Sequence, residues 1–222
     1  MSYEVSRRSQ VTESAGADGI PAWFYRAVAT PFDESTIDVD GVPIHYLEWG
    51  DRDQPGLVLV HGGAAHAHWW TFLAPIFAED WHVVALDLSG HGDSGRRTEY
   101  SHEAWACEVM AVADHAGFPG PPVLVGHSLG GMVTIQTASD HGERLRGAVI
   151  VDTPVRRPDP ESEEGARGRA FRKPGTYPDL ETAVEHFRLI PPQPATHPYI
   201  IDHIARNSLH ETPTGWTWKF DP

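Results

Sequence analysis

The chain has 222 residues, a formal net charge of −14 and 40% hydrophobic residues, eight of them tryptophan. That length can bury a sizeable core. The acidic balance argues against nucleic acid or a membrane surface as partner, and no apolar run is long enough to span a bilayer. A single cysteine, Cys107, excludes an internal disulfide and fits a cytoplasmic location. It falls in a predicted helix and reads as a small packed apolar residue.

Residues 1–22 are rich in Ser, Glu, Gly and Ala and lack an apolar signal core, so they read as a disordered leader. Residues 35–48 read as two strands joined at Asp40-Gly41, a strong hairpin signal. After a loop at 51–54, Leu57 to Val60 is a short buried-type strand that runs into His61-Gly62-Gly63. Trp69 to Phe77 is expected to be helical, with Pro75 near its end. His66 and His68 fall at the start of that helix, where a pair two apart would not share a face, which argues against a metal site.

A second buried-type strand, Val83 to Leu86, leads into Asp87 and the turn Leu88-Ser89-Gly90-His91-Gly92-Asp93-Ser94. Residues 101–116 carry apolar side chains at Trp105, Val109, Val112 and Ala116, a helical spacing with Ser101 to cap it and Gly117 to end it. The run Val123-Leu124-Val125 then enters Gly126-His127-Ser128-Leu129-Gly130, and a helix-period segment follows (Met132, Val133, Ile135, Ala138). The sixth strand, Ala148 to Val151, stops at Asp152. Strands alternating with helices predict a mostly parallel sheet with right-handed crossovers. Residues 156–173 are dense in charge, Pro and Gly and read as a linker. Helical patterns near 180–189 and 199–209 flank the breaker Pro191-Pro192-Gln193-Pro194.

A strand, G-x-S-x-G and a helix in immediate succession make a nucleophile elbow, a tight turn that holds a serine hydroxyl clear of the sheet. With His61-Gly62-Gly63 and the Asp87 to Ser94 turn in the same order, the chain resembles the α/β-hydrolase superfamily in its serine-nucleophile branch. The resemblance implies that Ser128 is the nucleophile and that the backbone amides of Gly63 and Leu129 form an oxyanion hole. It implies a core over 23–152 and a linker with a helical cap over 153–222, where Phe187, Leu189, Ile190 and Tyr199 either line an apolar pocket or pack the cap onto the core. His61 and His91 would tie loops together.

Family members have eight strands and a histidine after the last, in the order Ser, acid, His. The expectation is therefore an incomplete chain, without the last two strands or the histidine, and with strand six left as an apolar edge. Asp152 holds the position where some members carry the acid; otherwise its carboxylate caps the turn into Thr153-Pro154. No histidine of the fourteen has a context that marks it as the base: His127 neighbours Ser128 but points away on a tight turn, and His186, His197, His203 and His210 lie in the cap.

Serine, in place of aspartate, at 128 disfavours dehalogenase and epoxide hydrolase chemistry. The leading reading is hydrolysis of carboxylic esters or lactones of a small-molecule substrate through an acyl-enzyme. Carbon–carbon bond hydrolysis and cofactor-free haloperoxidase chemistry use the same site, and a non-catalytic hydrolase-like binding protein is the competing class. No cofactor is expected: no metal or flavin motif stands out, and Gly90-His91-Gly92 lacks the dinucleotide-binding spacing.

Overall fold

The computed structural model describes residues 19–153, 175–190, 192, 194 and 197–222. The leader expected over 1–22 and the linker over 156–173 fall outside these residues, except for 19–22. Ala22 already begins a helix, α1 (Ala22–Val28), whose Phe24 is buried against the rings of Tyr199 and His203. The run Ala-Trp-Phe-Tyr follows Pro21 with no capping side chain, so no start signal marks this helix in the sequence.

Among the described residues six strands form one sheet, in the order β1-β2-β4-β3-β5-β6. The strands β1 (Asp33–Val39) and β2 (Val42–Trp49) make the expected hairpin. Asp40 and Gly41 both take positive φ, 54° and 78°, as a two-residue turn between right-twisted strands requires. β2 runs antiparallel to β4 (His82–Leu86), whereas β3 (Gly56–Val60), β4, β5 (Val123–His127) and β6 (Gly147–Val151) are mutually parallel. All residues of β3 and β4 are buried, which is why they read as continuous apolar runs and not as alternating ones.

The two faces follow the period of two. Val58, Val60, Val84, Leu86 and Leu124 pack against Trp105, Val109 and Val112 of α3 (His102–Ala116) and Val133 of α4 (Leu129–His141). Leu57, Leu59, Val83 and Ala85 face the other way, against Ala67, Ala74 and Trp49. The stretch expected as one helix over 69–77 is instead a 3-10 turn (Ala67–Trp69) and a four-residue helix, α2 (Ala74–Phe77). Pro75 sits in the first turn of α2, where its missing N–H costs nothing, and not near the end of a longer helix. Cys107 also departs from expectation: it lies on the solvent face of α3 and is exposed.

Beyond β6, the described chain forms α5 (Leu180–Glu185), α6 (Pro198–Asn207) and a separate hairpin, β7 (Leu209–Thr212) with β8 (Gly215–Trp218). The two helices match the expected patterns. The hairpin was not expected and adds nothing to the main sheet.

Candidate active site

Ser128 lies where β5 ends and α4 begins, with φ 52° and ψ −116°. A non-glycine residue holds such a conformation only where its surroundings enforce it. The enforcement is visible on three sides. The Ser128 N–H donates to Val151 O (2.9 Å), and its carbonyl accepts from Gly131 N–H (3.0 Å) and from the Thr153 hydroxyl (3.0 Å). Thr153, which sequence reasoning does not single out, thus ties the end of β6 to the elbow. Its only sequence signal is its place two residues after the strand.

The loop after β3 forms the facing wall. A methyl placed on Gly62 would sit 3.3 Å from Ser128 Cβ and 3.0 Å from His127 Nδ1, so backbone and elbow are in near contact there. Leu129 is the first residue of α4, a position whose amide has no acceptor within the helix. Gly63 follows Gly62 on the facing loop. The structure therefore gathers Ser128, Gly62, Gly63 and Leu129 at one corner, beyond the C-terminal edge of the parallel strands.

Asp152 stands beside this corner, exposed, with φ 48°. Among the described residues its carboxylate has no hydrogen-bond partner, and the Thr153 hydroxyl also donates to Val151 O (3.1 Å); the turn into Pro154 that Asp152 is expected to cap lies outside the described residues. Likewise, no described residue hydrogen-bonds Ser128 Oγ.

Two histidines hold the loops. His61 donates from Nδ1 to Gly62 O (2.7 Å) and accepts the Leu88 N–H at Nε2 (3.0 Å). Both contacts use the neutral ring, and burial lowers its pKa accordingly. His91 contacts Ser89 O from Nδ1 (3.3 Å), and its pKa is pushed down to about 3, mainly by burial.

Asp87 is fully buried and accepts from Ala67 N–H (2.6 Å), Asp93 N–H (2.9 Å) and His45 Nδ1 (2.7 Å). Burial alone would raise its pKa, but the His45 hydrogen bond and nearby imidazoles hold it well below the usual carboxylate range. His45, Asp87 and Asp93 bring ligand-type atoms within 4.8 Å of one another. Asp87 is nevertheless saturated with N–H donors, and the Lys219 ammonium already lies 2.6 Å from Asp93 Oδ2. The geometry suits a hydrogen-bonded hub better than a metal site.

His66 and His68 correct the helical expectation. Their segment is a tight 3-10 turn, and their rings approach to 5.9 Å. His66 is buried and contacts Ser208 Oγ at 2.8 Å, and His203 contacts Thr71 Oγ1 at 2.7 Å. These bonds attach the middle of α6 and its C-cap residue to the segment that follows the Gly62-Gly63 loop. The chain then returns over the Asp87 turn: Gly92 N–H donates to Lys219 O (2.8 Å), Asp221 N–H to Gly90 O (2.7 Å) and the Tyr100 hydroxyl to Asp221 (2.7 Å).

An apolar cavity of about 580 Å³ runs along one face of β3, β5 and β6, lined by Leu59, Val125, Val149, Trp70, Phe77 and Trp81 among others, with Gly62 and His127 at its upper end. None of Phe187, Leu189, Ile190 and Tyr199 lines it. Phe187 packs on Trp218, Tyr199 on Phe24, and Ile190 is 63% exposed.

A family model described as alpha/beta hydrolase fold matches residues 55–185. Over 125 residues (54% of this chain) the sequence is 31% identical to bifunctional epoxide hydrolase 2 of Mus musculus, of which the match covers 22%. Over 138 residues (59% of this chain) it is 33% identical to protein phosphatase methylesterase 1 of Bos taurus, covering 36%. The chain thus spans well under half the length of these relatives. The solved structure of E-2-(acetamidomethylene)succinate hydrolase superposes with a TM-score of 0.76 over 86% of this chain and 69% of that one, at 19% identity, which shows the shared fold.

Proposed function

The chain belongs to the alpha/beta hydrolase fold family, and from that premise we propose that it is a serine hydrolase acting on carboxylic esters or lactones through an acyl-enzyme. The observation that carries this reading is the Ser128 elbow: a strained serine at the head of α4, in near contact with the Gly62-Gly63 backbone. Ser128 Oγ attacks the carbonyl, and the amides of Gly63 and Leu129 hold the developing oxyanion. Water then releases the acid. Asp152 is the acid of the triad in this reading, supported by its exposed carboxylate beside the corner, which has no partner among the described residues. The segment after β6 acts as a cap, supported by its two histidine–hydroxyl ties to the loop that follows Gly62-Gly63.

Relatives named as epoxide hydrolases do not redirect this assignment. Their reaction opens an alkyl C–O bond, for which a carboxylate nucleophile forms a hydrolysable ester. Serine would instead form a stable ether, so it suits acyl substrates.

A second reading, a hydrolase-like binding protein, is favoured by one observation: no described residue is positioned to take the proton of Ser128 Oγ. The two readings separate by labelling. A fluorophosphonate probe should modify Ser128, located by peptide mass spectrometry, and Ser128→Ala should not react. Because the contacts at Ser128 among the described residues include no base, p-nitrophenyl ester turnover by this chain should be slow, near the ~10³-fold acceleration that oxyanion stabilisation and binding alone sustain. Absence of labelling even with imidazole supplied at high concentration as an external base, and with the probe in large excess over hours, would favour the binding protein.

A further inference from the structure

His45 is buried between two carboxylates of unlike exposure. Its Nδ1 lies 2.7 Å from Asp87 Oδ2 in the core, and its Nε2 lies 2.8 Å from Glu34 Oε1, whose side chain is 59% exposed. Asp87 hands this arrangement on. Its other oxygen accepts the Ala67 N–H at 2.6 Å, four residues beyond Gly63, and the adjacent Leu88 N–H is held by His61 Nε2. Both ends of the loop that faces Ser128 therefore hang from residues 87 and 88.

We propose that Glu34, His45 and Asp87 form a proton-responsive brace in which the charge on His45, exchanged with solvent through Glu34, adjusts the Gly62-Gly63 loop. The link to catalysis rests on the serine-hydrolase reading; the brace itself does not. When His45 carries a proton on both nitrogens it donates to both carboxylates, and charge-assisted bonds of this kind are the strong ones. When it is neutral, the Nδ1–H stays with Asp87, which has no access to water. The Nε2 lone pair then faces a carboxylate oxygen at 2.8 Å. Two acceptors cannot remain at that separation, so Glu34 swings into solvent. Asp87, now without a cation beside it, draws more heavily on the Ala67 and Asp93 amides.

The surrounding charges are few. Glu34 faces His45 from β1 and Asp87 from the end of β4. His61, His66 and His68 come from the loop after β3, and Asp93, capped by Lys219, from the following turn. Burial opposes a charge on His45, yet the hydrogen bonds and charges of Asp87 and then Glu34 outweigh it and raise its pKa above the ordinary value. The transition therefore falls above the ordinary histidine value of ~6.5.

The test follows the amide resonances of ¹⁵N-labelled protein between pH ~6 and ~9. Those of Ala67 and Gly63 should titrate together with one midpoint above ~6.5. Glu34→Gln, a change at an exposed side chain that leaves the core intact, should lower that midpoint, and His45→Gln should abolish the titration. Flat Ala67 and Gly63 resonances across the range, or a midpoint unmoved by Glu34→Gln, would overturn the brace. The rate of fluorophosphonate labelling at Ser128, measured in parallel, should follow the same midpoint. Labelling that ignores a titrating loop would overturn the catalytic link, whereas titrating amides with no labelling at all would overturn only the hydrolase reading.

Discussion

Gly130 shows how little freedom the elbow has. A methyl there would lie 2.3 Å from Val60 O and 2.4 Å from His61 O, both backbone atoms of the strand end and loop opposite. Neither can withdraw without breaking β3 from its neighbours or moving the Gly62 wall. Gly130→Ala should therefore cost at least the ~1–3 kcal/mol typical of core overpacking. A lower melting temperature by calorimetry, with labelling at Ser128 slowed more than the stability loss accounts for, would bear this out; an unchanged melting temperature would contradict it. The same steric rule explains why this corner is legible in the sequence. Glycines at 126 and 130 around a serine leave few alternatives to a tight strand–helix turn. Thr153 and Asp87 carry as much of the geometry, yet their roles depend on partners 25 and 20 residues away, at Ser128 and Ala67, which no local pattern records.

Elements divide by where their stability originates. β3, β4, β5, α3 and α4 could be read in advance because their burial follows a regular period and their ends carry chemical signals. Ser101, for instance, accepts from Ala104 N–H at the start of α3. The helix α1, the short α2 and the β7–β8 hairpin could not, because tertiary contacts hold them: Phe24 against Tyr199, Ala74 in the cluster with Leu57 and Val83, and Tyr177 bridged to Trp216. β6 is a different case. Among the described residues it pairs only with β5, and Val149, Ile150 and Val151 are 48%, 36% and 41% exposed. An open edge bearing β-branched side chains is a template for further pairing. This chain, purified as given, should associate in a concentration-dependent way. Ile150→Lys should suppress that association with little change in secondary structure, because a charged edge resists pairing. Light scattering alongside circular dichroism checks both halves, and equal scattering by the variant and the parent would count against β6 as the sticky edge.

Across the whole molecule, buried neutral histidines set the direction of acid sensitivity. His61, His66 and His91 all have lowered pKa values, with burial the largest cause, and His91 is pushed down to about 3. Each binds a proton more readily in the unfolded chain. Its stabilising contribution is therefore complete above the unfolded value of ~6.5 and is lost as pH falls from there toward the folded value. Within that window each group can remove up to ~1.4 kcal/mol per pH unit. His45 acts with the opposite sign: its raised pKa adds stability that is present below ~6.5 and lost as pH rises through the folded value. His68, His203 and His210 are lowered as well, again mainly by burial, so among the described residues six histidines against one leave a net loss on acidification. Asp87, whose pKa is lowered, keeps its own contribution through this range and gives it up only in stronger acid. Differential scanning calorimetry should show a melting temperature that drops steeply from pH ~6.5 to ~5 and declines gently on the alkaline side. His66 is the informative position. Its Nε2 meets Ser208 Oγ at the junction of core and C-terminal segment, and its Nδ1 is buried without a partner among the described residues. Replacing it with Gln keeps a donor for Ser208 and removes the titration, so the variant should lose less melting temperature per pH unit than the parent. An identical acid slope in parent and variant would show that the neutral buried ring is not what makes the fold acid-sensitive.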